Sequence, residues 1–208
     1  MSGYRDSQIK GKFALKHPAI GLSAIIGITL LSAAVCQARQ PEAPPDVTVS
    51  LHSTIVATPG AVERAKHIAK SMFASIGINL VWCGEMSGHE QGVLIHAVLE
   101  SGSNGEGEAL GETSPFAVNH DIAIRYDRVR SSAGASQELE PLILAHVMVH
   151  EITHILQCLN RHSETGVMKA HWTVDDYCDM RWRPLEFTPE DIELIRLGMQ
   201  ALRSDMRR

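Results

Sequence analysis

The chain has no excess of basic residues. It carries 19 Lys and Arg against 24 Asp and Glu, a formal net charge of -5 over 208 residues. A nucleic-acid-binding protein needs a basic stripe or patch to neutralise phosphates, so nothing here favours that class. The chain also lacks internal repeats. With 44% hydrophobic and 21% charged residues, its composition is that of one globular domain with an additional segment.

A second absence lies near the N-terminus, where no acidic or basic residue occurs between Lys16 and Arg39. Three lysines precede the apolar run over residues 18–35, which is the layout of a secretory signal. We therefore predict a signal peptide over residues 1–38. An uncleaved membrane anchor is the alternative, because the run is at the short end of what spans a bilayer.

The predicted export has consequences for the rest of the chain. Cleavage is expected after Ala38, with Cys36 as the second choice, and residues 39–46 then form a proline-rich spacer before a domain over 47–208. Removal of the signal takes away four basic residues and one acidic residue, which leaves 15 basic and 23 acidic residues and a net charge of -8. Either reading of the N-terminus places the domain outside the cytoplasm, in the periplasm or the extracellular space.

Hydrophobic patterns predict the elements of this domain. Apolar alternation or short apolar runs indicate strands over 47–57, 78–82, 92–100 and 121–127. Three segments read as helices: one that opens at Thr58-Pro59 and stops at Gly77, one over 140–159 that is apolar nearly all round, and one from Pro189 with Thr188 as its N-cap. The fold class expected is α/β (α+β), with a twisted mixed sheet.

An HExxH motif, His150 to His154, lies in the predicted apolar helix. Two histidines four residues apart share one helix face about 6 Å apart, so both can reach one ion at about 2.0–2.1 Å. Glu151 lies one position round and can contact water at the metal without binding the ion. The spacing predicts a zinc site that lowers the pKa of water towards about 7, with Glu151 as general base.

The third ligand is not where the familiar pattern HExxHxxGxxH would put it, because Gln157 and Asn160 replace its glycine and its last histidine. His162 can serve instead. On a continuing helix His162 would lie about 12 Å along the axis from His154, so the chain has to turn back. Asn160 tolerates the left-handed conformation and is predicted to end the helix.

The stretches HEITH and HSETGVM, within residues 150–168, resemble the metzincin clan of zinc endopeptidases. The likeness is greatest to a group of exported bacterial metzincin-like proteins with the spacing HExxH-x7-H-S-x-x-G-[IV]-M. The resemblance implies a backing helix, a buried zinc-binding helix, one zinc ion and a turn through Gly166. The site residues that it implies are His150, His154 and His162 as ligands, Glu151 as base and Met168 beneath the metal.

The expected function is therefore peptide-bond hydrolysis by an exported zinc endopeptidase. Its partner would be a peptide or protein substrate that lies extended along an edge strand, for which residues 109–113 are the candidate segment. Contact with a membrane is expected only through the possible N-terminal anchor. Two alternatives stay open: a zincin with Asp175 or Asp176 as an acidic third ligand, and a non-catalytic exported module that binds metal or a partner.

Several further residues have predicted roles around the site. His146 is expected to pack or to support a ligand, because one straight helix cannot bring residues 146, 150 and 154 onto one ion. Trp172 is a candidate to border the cleft, and Tyr126 and Tyr177 are candidates to stabilise an oxyanion.

The cysteines that follow the predicted cleavage site number three, so at least one thiol is left over. Cys158 lies at the end of the predicted zinc helix, and Cys178 follows soon after the methionine turn that the resemblance implies. We expect these two to be neighbours able to form a disulfide, with Cys83 free.

Overall fold

The computed structural model describes residues 46–83, 92–102, 108–117 and 119–205. The strands are β1 (Val47–Ser53), β2 (Leu80–Cys83), β3 (Val93–Glu100), β4 (Gly111–Thr113) and β5 (Asp121–Arg125). The helices are α1 (Pro59–Ser75), α2 (Tyr126–Ala133), α3 (Leu139–Gln157), α4 (Val174–Met180) and α5 (Pro189–Asp205). The predicted α/β (α+β) class is confirmed. The predicted signal peptide and residues 39–45 of the spacer lie outside the described residues.

The five strands form one mixed sheet in the order β2-β1-β3-β5-β4. The first four pair in parallel, whereas β4 runs antiparallel to β5 at the edge of the sheet. The candidate segment 109–113 therefore contributes an edge strand, as predicted. Side chains alternate along β3: Val93, Ile95, Ala97 and Leu99 are buried, and those between them are more exposed.

Helix α3 runs through the middle of the domain and contacts every other helix. Nearly all of its side chains are buried, as its continuous apolar sequence predicts. Among the described helices it alone is long and apolar enough to cross a membrane, yet 89% of that stretch is buried inside the protein. Each large apolar side chain buried in this way contributes about 1.5–3 kcal/mol, so α3 is anchored in the core along most of its length.

Two helices were not predicted from the sequence. Strand β5 ends at Arg125, and the chain enters α2 at Tyr126 instead of continuing as a strand to residue 127. The second, α4, follows a capping box in which Thr173 and Asp176 bond to each other's backbone. Helices α1 and α5 begin at the predicted prolines, and Thr188 caps α5 through its bond with Asp191.

Candidate metal centre

Three histidines meet at the C-terminal end of α3. His150 and His154 lie on the helix, and His162 comes from the loop that follows it. One nitrogen of each ring lies within 4.8 Å of the others. The three rings could therefore hold one metal ion, and the chain does turn back to bring His162 to the pair.

The proton positions on the two helical histidines follow from their partners. Nδ1 of His150 lies 2.9 Å from the carbonyl oxygen of Val167, and Nδ1 of His154 lies 3.0 Å from that of Leu159. A carbonyl oxygen only accepts, so each Nδ1 carries the ring proton and donates it. Both Nε2 atoms are then bare in the neutral rings, and these are the atoms left to bind a metal.

The two bare nitrogens are only 3.1 Å apart. Burial lowers the pKa of His150 to about 4, and burial also lowers the pKa of His154, so both rings are neutral at pH 7. Neither Nε2 has a proton to give to the other. Two ligands about 2.0–2.1 Å from a tetrahedral zinc ion lie about 3.3 Å apart, so the observed spacing fits a cation shared between them.

The end of α3 differs from the prediction that Asn160 makes the left-handed turn. Cys158 takes that conformation, with φ of 52°, directly after the last helical residue, Gln157. The earlier turn lets Leu159 bond twice to His154: its amide donates to the His154 carbonyl, and its own carbonyl accepts from Nδ1. A later turn at Asn160 would leave that carbonyl directed along the helix axis.

A tight turn follows His162. The Ser163 amide donates to the Met168 carbonyl at 2.8 Å, which closes the loop, and the Met168 side chain is completely buried. Gly166 within this turn has φ of 77°, and a Cβ there would overlap the carbonyl oxygen of Glu186. A glycine is therefore required on two grounds. The Val167 carbonyl that orients His150 is presented by the same turn.

Glu151 is almost completely buried beside the ligands on α3. Burial, together with the charge of Glu112, raises its pKa to about 8. The residue covering it is Gly111 of β4, whose lack of a side chain leaves room for the carboxyl group. The sequence does not predict this contact of Gly111, because no local pattern shows which residue of a strand will pack over a helix.

The neighbours of the histidines have structural roles. His146 is fully buried, with Nδ1 2.7 Å from the Leu142 carbonyl and Nε2 accepting from the Leu185 amide at 2.9 Å, so it packs as predicted. Trp172 stands edge-on to His150, with ring centroids 5.9 Å apart, and so borders the site.

Other predicted candidates do not join the metal group. The group found among the described residues contains three histidines and neither Asp175 nor Asp176. Asp176 caps α4 and pairs with Lys169 instead. Tyr126, a candidate to stabilise an oxyanion, is fully buried, and its hydroxyl accepts from the Thr58 amide and donates to Glu140. Tyr177 is half-buried, and its hydroxyl bonds to Ser132.

The predicted disulfide is wrong. Cys83, Cys158 and Cys178 are all free thiols. Cys158 makes the turn after α3, with Sγ 3.9 Å from the Gly198 carbonyl oxygen of α5, whereas Cys178 is exposed on α4. The Cys158 thiol therefore contacts α5 where that helix packs against the end of α3.

Comparisons with known proteins add no assignment: no family model matches the chain, and no curated protein is significantly similar to it.

Proposed function

We propose that this protein is an exported, metzincin-like zinc endopeptidase in which Glu151 is the general base. The observation that carries the proposal is the pair of bare Nε2 atoms on His150 and His154, 3.1 Å apart, with His162 beside them. Catalytic zinc sites use three protein ligands and leave a position open, whereas structural sites are closed by four. A buried glutamate next to a three-histidine group fits the catalytic kind.

The chemistry is divided between the ion and the chain. Zinc bound to His150, His154 and His162 would supply Lewis acidity, which polarises a peptide carbonyl and lowers the pKa of water towards about 7. Glu151 takes a proton from the attacking water, whose oxygen adds to the carbonyl carbon. As the peptide C–N bond breaks, Glu151 returns that proton to the departing amine.

The edge strand β4 supports a peptide as the substrate. An extended peptide can add to an exposed sheet edge through main-chain hydrogen bonds. Strand β4 ends the sheet order and lies over Glu151 at Gly111. A substrate paired with β4 would therefore run past the catalytic base.

A cleavage assay tests this function. The purified protein is loaded with zinc and incubated with an unstructured peptide library, and new termini are found by mass spectrometry. We expect cleavage at internal peptide bonds, its loss with a chelator and its return with added zinc. Stoichiometric zinc without cleavage would favour the non-catalytic metal-binding module, and failure to bind zinc would overturn the metal site itself.

A further inference from the structure

Asp191, in the first turn of α5, lies at the centre of a buried hydrogen-bond network. Its side chain is completely buried. Oδ2 accepts from the amide and hydroxyl of Thr188, at 3.0 and 2.7 Å, which caps the helix. Oδ1 accepts from the Ser163 hydroxyl at 2.6 Å and from the Arg161 guanidinium at 3.1 Å. The Asp191 carbonyl also accepts from the side-chain amide of Gln157 at 3.3 Å.

The two oxygen atoms of the Asp191 carboxylate bond to different parts of the fold. Capping α5 requires one oxygen and is a local matter for that helix. The other oxygen bonds to the residues on either side of His162, although they lie 28 and 30 positions away in the sequence. The His162 side chain itself is exposed, so its place opposite the helical histidines depends on how its neighbours are held.

The Asp191 carboxylate has no surface exposed to solvent. A buried carboxylate is costly unless it is paired and fully hydrogen-bonded. Here four hydrogen bonds to the two oxygens, one of them from the charged Arg161 guanidinium, meet that requirement.

We propose that Asp191 is a positioning residue for the metal centre, which holds the loop at Arg161 and Ser163 so that His162 faces His150 and His154. The proposal rests on the proposed function only in requiring that the three histidines bind a metal. It assigns to α5 a role beyond packing, because the first turn of that helix sets the third ligand.

The variant Asp191→Asn distinguishes the roles of the two carboxylate oxygens. The remaining amide oxygen can still cap α5 through Thr188, whereas the amide nitrogen cannot accept from Ser163 or Arg161. We expect at least a tenfold weaker zinc affinity and a changed visible spectrum when cobalt is bound in place of zinc. Ser163→Ala removes the hydrogen bond from the Ser163 hydroxyl to Asp191 and leaves the cap of α5 intact. It therefore tests the same proposal if Asp191→Asn does not fold, and we expect a smaller loss of zinc affinity.

Asp46→Asn is the matched control. Asp46 pairs with Arg203 near the other end of α5, so the variant removes a charge pair of that helix without touching the loop of His162. We expect it to lower stability but to leave zinc affinity and the cobalt spectrum unchanged. Wild-type affinity and spectrum in a folded Asp191→Asn or Ser163→Ala variant would overturn this proposal alone. Absence of zinc binding by the wild type would overturn the proposed function and this inference together.

Discussion

Gly111 of the edge strand lies directly against the carboxyl group of Glu151. A Cβ at position 111 would stand 2.7 Å from Oε1 and 2.8 Å from Cγ of Glu151, closer than real Cβ contacts. The backbone of the strand thus packs directly against the glutamate, with no side chain between them. This contact links the substrate edge proposed for β4 to the proposed base on α3.

Gly111→Ala tests that link. The new methyl group has to displace Glu151 or Val147, since Val147 Cγ1 would lie 2.9 Å away. Because small displacements of a catalytic group can cost about 10²-fold in rate, we expect hydrolysis to fall by about that factor with zinc still bound. Gly60→Ala, where nothing lies within 4 Å of the added Cβ, should leave the rate of peptide hydrolysis unchanged. An active Gly111→Ala enzyme would contradict the contact's role.

Zinc binding should release a proton from Glu151. Burial raises the pKa of this carboxyl to about 8 in the metal-free protein, so it is mostly protonated at pH 7. A nearby cation favours the ionised form, whereas the buried neutral histidines have no proton to lose. Calorimetry in buffers of different ionisation enthalpy should show about one proton fewer released by Glu151→Gln than by the wild type. Equal release would show that Glu151 is already ionised.

His146 makes stability depend on pH. Burial lowers its pKa to about 4 from an ordinary value of 6.5. Between these values the unfolded chain binds a proton that the folded protein does not, so stability is complete above pH 6.5 and is lost as pH falls towards 4. His146→Gln cannot ionise, and its unfolding free energy should change less with pH, by up to about 1.4 kcal/mol per pH unit. Identical slopes for zinc-free wild type and variant would refute this.

Gly166→Ala should damage both the fold and the site. Alanine there would strain a φ of 77° and overlap the Glu186 carbonyl, in the turn that presents Val167 to His150. Gly77→Ala is the control, because its φ is 80° with nothing within 4 Å. We expect the control to cost about 1–2 kcal/mol, and Gly166→Ala about 1–3 kcal/mol more with weaker zinc binding. Denaturation curves and zinc titrations of both variants measure the difference.

Local patterns predicted the main elements but not all of them. Helices α1, α3 and α5 have apolar periods and cap residues that can be read directly. The sequence does not predict α2, because Tyr126 continues the alternation of apolar residues in β5. The spacing of apolar residues alone therefore does not show where the strand ends. The capping box formed by Thr173 and Asp176 is the local sequence signal for the start of α4.

The candidate site shows where sequence reasoning stops. The sequence predicts His162 as a third ligand because a catalytic zinc site needs three, and the structure brings it to the helical pair, yet the residue that turns the chain is Cys158 and not Asn160. Intrinsic preference favours asparagine in a left-handed turn, but the bonds between Leu159 and His154 require the earlier position. Gly111 and Asp191 act across the fold, and no local pattern reveals such partners.

The central claim is that three histidines bind zinc while Glu151 performs the proton transfer. The most direct measurement compares zinc content and peptide hydrolysis in the wild type, Glu151→Gln and His162→Ala. We predict full zinc occupancy with no hydrolysis for Glu151→Gln, because the base is lost and every ligand stays. His162→Ala should lose most of its zinc, since one of three protein ligands is removed. Hydrolysis by Glu151→Gln, or stoichiometric tight zinc in His162→Ala, would contradict the account.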